Sequence, residues 1–580
     1  MEPMYIKLVQ LNDEWTEAGL QLQVADPASK YDGGVMDETT GIPRANHLGT
    51  PAVMAAWAAS LVNADSRYYR QAELREALEK ASAFLLRRQH ADGTISLGST
   101  NFNSPPDTAF VVGGMTQIYR MLEQANWSEL APALANIRLF LERTIPALLT
   151  GGCHTPNHRW VITAALVQLH DIFDRPELLV RAEEWLSEGM DMTEDGEWTE
   201  RSNGIYNAVS NISLFHTARV LNRPALLEYV RRNLRMMAYL IHPDGEVVTD
   251  YSGRQDLGQT FNLSNYFLVC RLMAAHDRDP LFAALSDYAG SFISQYKEGV
   301  NNHPMVGVLL FPSSLEGLER EPLPERYVKR LNFGHPMDAH LKQVGQVGHH
   351  MKIQHSSMHL AFGAPVVRMR DGNDSVTMMA KAPSFFSLRH GKARLLGVKL
   401  ATSFAPGVVM FDSLEEAEQG AFKLRTLLEK GYSGPIPAAS LRELRLNESM
   451  SPWYLLPHHL RPMTHLQQFE LAADITQGDQ AWTLRLRSDE REDVFVQLTF
   501  VFGSEGEVEG SGVEPISDGR FLYKEGTLSY SAGPDVIEIA SGAFEHRLPE
   551  LRDVQHPNGC LYAHVNLLSP FDHTVTIRLR

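Results

Sequence analysis

The sequence predicts two domains of different class, an N-terminal incomplete (α/α)5–6 toroid followed by a C-terminal antiparallel β-sandwich. Three observations carry this. The chain has 580 residues, and a single core stops growing at roughly 250 to 300. From about Thr50 to Tyr296 apolar residues recur at helical spacing, whereas beyond about His350 they alternate in short segments between Gly, Asp, Asn and Pro turns.

The helical half is justified by stripes such as Leu227, Val230, Leu234, Met237 and Ile241, one face of an amphipathic helix. It also repeats. Asp174-Arg175-Pro176, Asn222-Arg223-Pro224 and Asp277-Arg278-Asp279-Pro280 look like helix starts, with Asp or Asn as cap and Pro in the first turn. A second marker, the Asp-Gly turn, falls at 92–93, 195–196 and 244–245. Two interleaved markers with a period of about 50 residues describe stacked helical hairpins. Links carrying the first marker are short, while those around 90 to 105, 149 to 156, 190 to 205 and 242 to 258 are long. In an antiparallel array every second loop lies on one face, so the long loops gather at one end above the positive ends of the inner helices.

Residues 298 to 345, rich in Pro, Gly, Asn and His, form the expected linker, giving domains at 1–335 and 336–580. The β half is justified by VFVQLTFVF at 494 to 502, GTLSYSA at 526 to 532 and CLYAHVNLL at 560 to 568.

Composition excludes several function classes. With 53 basic against 70 acidic residues the net charge is -17, which argues against nucleic acid, although a ligand feels the local field of its cleft rather than the net charge. Cys153, Cys270 and Cys560 support neither a disulfide framework nor a zinc ribbon. Neither an export signal nor a stretch long enough to span a bilayer is visible, so a cytoplasmic protein without a membrane partner is expected; homo-oligomerisation is left open.

The long loops carry Asn101, Phe102, Asn103 and Asp107; His154, Asn157, His158, Arg159 and Trp160; Trp198, Arg201, Asn203, Tyr206 and Asn207; and Tyr251, Arg254 and Gln255. Aromatic faces pack on sugar C–H patches, while Arg and Asn fork onto carboxylates and hydroxyls, so an acidic sugar chain is the expected partner. His335, His340, His349, His350, His355 and His359 form a cluster of six among the 23 histidines. A divalent metal near His349–His359 is the alternative to a site without cofactors.

In these features the sequence resembles polysaccharide lyases built from an α/α toroid and an antiparallel β-sandwich, the heparinase II/III-like and oligoalginate-lyase-like group. Asn157-His158 looks like that group's Asn-His pair, and Tyr206, in TERSNGIYNAVSN, looks like its catalytic tyrosine. The resemblance implies a further histidine from near the start of the β domain, which His355 or His350 supplies, although QHSSMHLAFG lacks the His-x-Asp signature common in heparinase-like members. The implied reaction is β-elimination across a 4-linked uronic acid. Asn157 and a histidine neutralise the carboxylate so that an enolate-like charge can form at C5, and Tyr206 moves the proton. Its helix N-terminus and Arg201 are expected to favour the phenolate. Asn101, Arg159, Trp160, Arg201, Asn207, Tyr251, Arg254 and His350 are expected to hold the substrate.

Two other classes compete. A toroid glycoside hydrolase uses paired carboxylates, for which Asp107, Asp195, Asp250 and Asp256 are available, and a noncatalytic carbohydrate-binding protein needs only the cleft.

Overall fold

In the computed structural model, which describes residues 2–294, 299–312, 314–346, 358–443, 453–554 and 559–580, helices of two kinds alternate along the first half of the chain. They are α1 (Pro3–Leu22), α2 (Thr50–Val62), α3 (Ala72–Arg88), α4 (Pro105–Gln124), α5 (Ala131–Thr150), α6 (Pro156–Phe173), α7 (Pro176–Leu186), α8 (Tyr206–Val220), α9 (Leu227–Met237), α10 (Phe267–Asp277), α11 (Pro280–Ser291) and α12 (Pro304–Leu310). The even-numbered helices are buried nearly all round: every residue of α2 from Thr50 to Leu61 is buried. The odd-numbered ones are amphipathic, α3 burying Leu74, Ala77, Leu78, Ala81 and Leu85 at helical spacing. Each even helix packs on the next, α2 on α4, α4 on α6, α6 on α8, α8 on α10 and α10 on α12, and α12 returns to α2. An inner ring of six helices within an outer layer is the (α/α) toroid.

Because the long loops all precede even helices, the inner N-termini share one face. The Asp-Gly turns repeat in detail: His90, Thr193 and His242 each donate from N–H to the carbonyl four residues on, and Gly93, Gly196 and Gly245 donate back. Those glycines have φ of 84°, 99° and 89°, a region that disfavours other residues. A Cβ at Gly93 would lie 1.9 Å from the Arg143 carbonyl oxygen. The Asp-Arg-Pro marker works differently from expectation. Asp174 and Asn222 are left-handed residues that end the preceding helix, and of the anticipated caps Asp279 fills that role, accepting from the N–H groups of Leu281 and Phe282. The α9 stripe ends at Met237, and Ile241 instead bridges to Val247.

The second unit holds a nine-stranded and an eight-stranded sheet, mostly antiparallel. At the centre of the larger, Phe495–Gly503 pairs with Ala393–Thr402 and Cys560–Leu568. Leu498, Phe500 and Val565 from one sheet and Leu471, Leu484 and Val575 from the other share one buried apolar core, so the sheets form a sandwich. The division of the chain is interleaved rather than a single cut after 335. Residues Met1–Glu325 and Gly334–Gly363 form one unit, Arg326–Phe333 and Ala364–Arg580 the other. The strand Arg326–Leu331 pairs at the sheet edge with Val366–Asp371, and its three basic residues, natural on an edge strand, disguise it as linker in the sequence. No described helix is long and apolar enough to cross a membrane.

Candidate active site

A cleft of about 730 Å³ opens where the inner helices begin. Its wall includes Asn101, Asp107 and Phe110 at the start of α4, Thr155 and His158 at α6, Tyr206, Val209 and Ile212 on α8, and Arg254 and Gln255 ahead of α10. The positive ends of α4, α6 and α8 therefore meet here, beside Arg44, His47 and Arg254, and among the described residues Asp107 is the one carboxylate on the wall. The local field suits an anion despite the acidic chain.

Of the residues singled out from the sequence, Asn101, His158, Tyr206 and Arg254 line this cleft. Asn157 lies behind the wall, 2% exposed. Its Nδ2 donates to both oxygens of Glu200 at 2.9 and 2.8 Å and to Thr155 Oγ1 at 3.2 Å, while its Oδ1 is buried without a partner. The His158 ring meets His154 and Phe110 edge-on. Burial above all, then His154 and Arg254, holds its pKa down to about 3, so the imidazole is neutral. Its Nδ1 is buried and unpartnered, which leaves Nε2 to serve the cleft.

Tyr206 is half-buried at the first position of α8. Gln255 Nε2 donates to its Oη at 3.0 Å, and the Arg254 guanidinium lies over its ring at 4.2 Å. The expected phenolate is not the resting form: burial foremost pushes this phenol above its ordinary value, with Glu200 adding to the rise and Arg254 opposing it. Arg201, expected to help, is directed elsewhere. It is fully buried, paired with Glu197 at 3.3 Å and set over the Tyr251 ring at 4.7 Å.

Five proposed substrate contacts lie away from the cleft wall. Arg159 is held by Glu188 at 3.1 Å and Asp191 at 2.9 Å, and Trp160, fully buried, donates to Asp191. Asn207 is buried against Asn203, and Tyr251 lies beneath Arg201 with it. All five belong to the packing beneath the loops. His350 and His355 lie outside the described residues, as do His349 and the side chain of His359, so the metal alternative falls there too. Among the described residues no group of three or more His, Cys, Asp or Glu is placed to hold a metal. His335 and His340 meet ring to ring at 4.9 Å.

Sequence reasoning missed two kinds of residue. Glu200 is a carboxyl 2% exposed that accepts from Asn157 and from Arg254 Nη1, and burial, the largest influence, raises it to about 7. Its pairing with a residue 43 positions away leaves no local signal. His47, Arg44 and Asn301 come from the first and last long loops, before α2 and α12, and extending the repeat by one unit at each end finds them. The His47 ring stacks on Phe110 at 4.7 Å; burial, opposed by Asp107 and aided by Arg44, lowers its pKa to about 4.

No protein-family model and no curated protein sequence matches this chain. Among solved structures, heparinase III superposes over 98% of this chain and 84% of its own, with a TM-score of 0.51 at 10% identity. The chondroitin AC lyase of Streptomyces coelicolor A3, in complex with chondroitin sulphate, superposes over 100% of this chain and 80% of its own, with a TM-score of 0.50 at 10% identity. The chain thus has the fold of these polysaccharide lyases, a helical toroid followed by a β domain.

Proposed function

We propose that this protein is a polysaccharide or oligosaccharide lyase that cleaves a 4-linked uronic acid by β-elimination. The observation that carries the reading is the meeting of Arg254, Tyr206 and neutral His158 on one cleft wall, in a fold shared with two polysaccharide lyases.

Arg254 and the Nε2–H of His158 bind the uronate carboxylate and stabilise the enolate-like charge as the C5 proton leaves; each such donor contributes roughly a hundredfold or more. Tyr206 carries the proton. As phenolate it removes hydrogen from C5, and as the phenol so formed it returns that proton to the bridging oxygen while the C4–O bond breaks and the C4–C5 double bond forms. The stacked Arg254 and the Gln255 donor both favour the phenolate, against the burial that opposes it. Asn157 acts behind the wall by fixing Glu200.

A hydrolase on this toroid is disfavoured because it needs two facing carboxylates. Among the described residues Asp107 is the one carboxylate on the wall, accepting from Asn101 and Ser104, while Asp256 is buried among Ser202, Ser252 and the Gly204 N–H.

The test is a panel of heparan, hyaluronan, chondroitin, alginate and rhamnose-glucuronate substrates assayed for ultraviolet-absorbing unsaturated products. Tyr206→Phe is expected to abolish product formation. Cleavage without a new chromophore, or unchanged turnover in that variant, overturns the mechanism.

A further inference from the structure

Glu200 is a carboxyl where an uncompensated charge is costly. It lies in the loop leading into α8 and receives Asn157 Nδ2 at 2.9 and 2.8 Å and Arg254 Nη1. The charged and titratable groups acting on it come from every side of the loop. Arg254 precedes α10, Tyr206 begins α8, and Asp191 follows α7, itself tied to Arg159 at 2.9 Å; Asn157 and Thr155 at the start of α6 are neutral. Arg254 is therefore the cation that serves Glu200. The same guanidinium lies 4.2 Å over the Tyr206 ring, on the cleft wall.

An acidic sugar entering the cleft brings a second carboxylate to one guanidinium. Two carboxylates that share a poorly solvated site do not both ionise, and one of them binds a proton.

We propose that Glu200 is a positioning residue that couples recognition of an acidic sugar to uptake of one proton: as the ligand's carboxylate engages Arg254, Glu200 is protonated and stays in place as a neutral partner of Asn157. This deepens, and rests on, the reading of the cleft as a uronate site. No covalent bond to carbon changes; the sole transfer is a solvent proton to a Glu200 oxygen. The new O–H has an acceptor at hand, because Asn157 Oδ1 is buried and unpartnered and a half-turn of that amide presents it to Glu200. Burial has already raised Glu200 to about 7, so the exchange operates near neutral pH. Below that value the carboxyl is neutral before the ligand arrives and no proton is taken up. Above it one proton is bound per ligand, and affinity falls about tenfold for each further pH unit.

The test uses the full-length Tyr206→Phe protein, which is expected to bind without turning over, and titration calorimetry with the panel oligosaccharides in two buffers of different ionisation enthalpy. Expected are negligible proton uptake at about pH 6, close to one proton at about pH 8, and about tenfold weaker binding at the higher pH. Adding Glu200→Gln is expected to remove the uptake and flatten the affinity across that range. Binding without uptake at about pH 8, or uptake that persists in the double variant, overturns the coupling alone. Failure of every uronate to bind overturns the uronate reading and the coupling with it. A merely structural Glu200 would change melting temperature or overall affinity and leave the proton count intact, and the count in the single variant does not depend on how well the double variant folds.

Discussion

Arg254 lies over the ring of Tyr206, its guanidinium carbon 4.2 Å from the ring centroid, while Nη1 of the same group donates to Glu200. One planar cation thus touches both the proposed proton carrier and a buried acid. Replacement by Lys keeps the charge but loses the planar fork and the stacking. Arg254→Ala is expected to lower kcat/KM at least a hundredfold, the usual scale for one donor to a developing oxyanion. Arg254→Lys is expected to recover only part of that loss, read from initial rates of chromophore formation. A variant within threefold of wild type would sink the role assigned to this residue.

In the proposed mechanism Tyr206 must lose a proton before it can accept one from C5, and burial holds its phenol above the ordinary range. The active fraction therefore grows with pH throughout the neutral and mildly alkaline region. We expect kcat to climb about tenfold per pH unit without a plateau up to about pH 9. A profile of kcat that levels off near neutrality would assign the proton transfer to another group.

Glu200 makes a prediction about stability with the opposite slope. Its folded value of about 7 lies above the ordinary 4.5, so as pH rises the unfolded chain releases this proton first. Between those two values the folded state binds more protons, and stability declines with rising pH. Glu200→Gln removes the cost, which is worth roughly 3 kcal/mol at about pH 8 and nothing at about pH 4. Thermal melts of the two proteins are expected to diverge progressively between about pH 4.5 and 7 and to stay apart above that, with the variant the more stable. Equal melting temperatures at about pH 8 would contradict the burial argument.

The architecture was legible because its determinants are local. Helical spacing, positive-φ glycines in the Asp-Gly turns and alternation in strands such as Thr527–Ala532 are written in adjacent residues. The face on which the site lies was legible from loop lengths, which placed Asn101, His158, Tyr206 and Arg254 together. What failed was the distinction between the cleft wall and the layer behind it. Arg159, Trp160, Arg201, Asn207 and Tyr251 come from the same loops and carry the same chemistry, yet they turn into the packing beneath. Loop position says which end a residue occupies, and only side-chain direction, set by contacts dozens of residues away, says which layer. Glu200 shows the same limit in reverse, since its significance is its contact with Asn157 and Arg254.

Arg201 separates the two layers experimentally. Its side chain and that of Glu197 are each 1% exposed and pair at 3.3 Å, and Glu197 Oε2 also accepts from the Gly363 N–H. Removing one partner of a pair this deeply buried typically costs about 3 to 5 kcal/mol, whereas removing both charges together is often close to neutral. Arg201→Met is therefore expected to lower the melting temperature by several degrees, with kcat and KM of the folded protein unchanged. Adding Glu197→Gln is expected to restore most of the loss. A side chain that held the sugar's carboxylate would behave in the opposite way, raising KM at constant melting temperature. That outcome would return Arg201 to the cleft and contradict the geometry of its pair with Glu197.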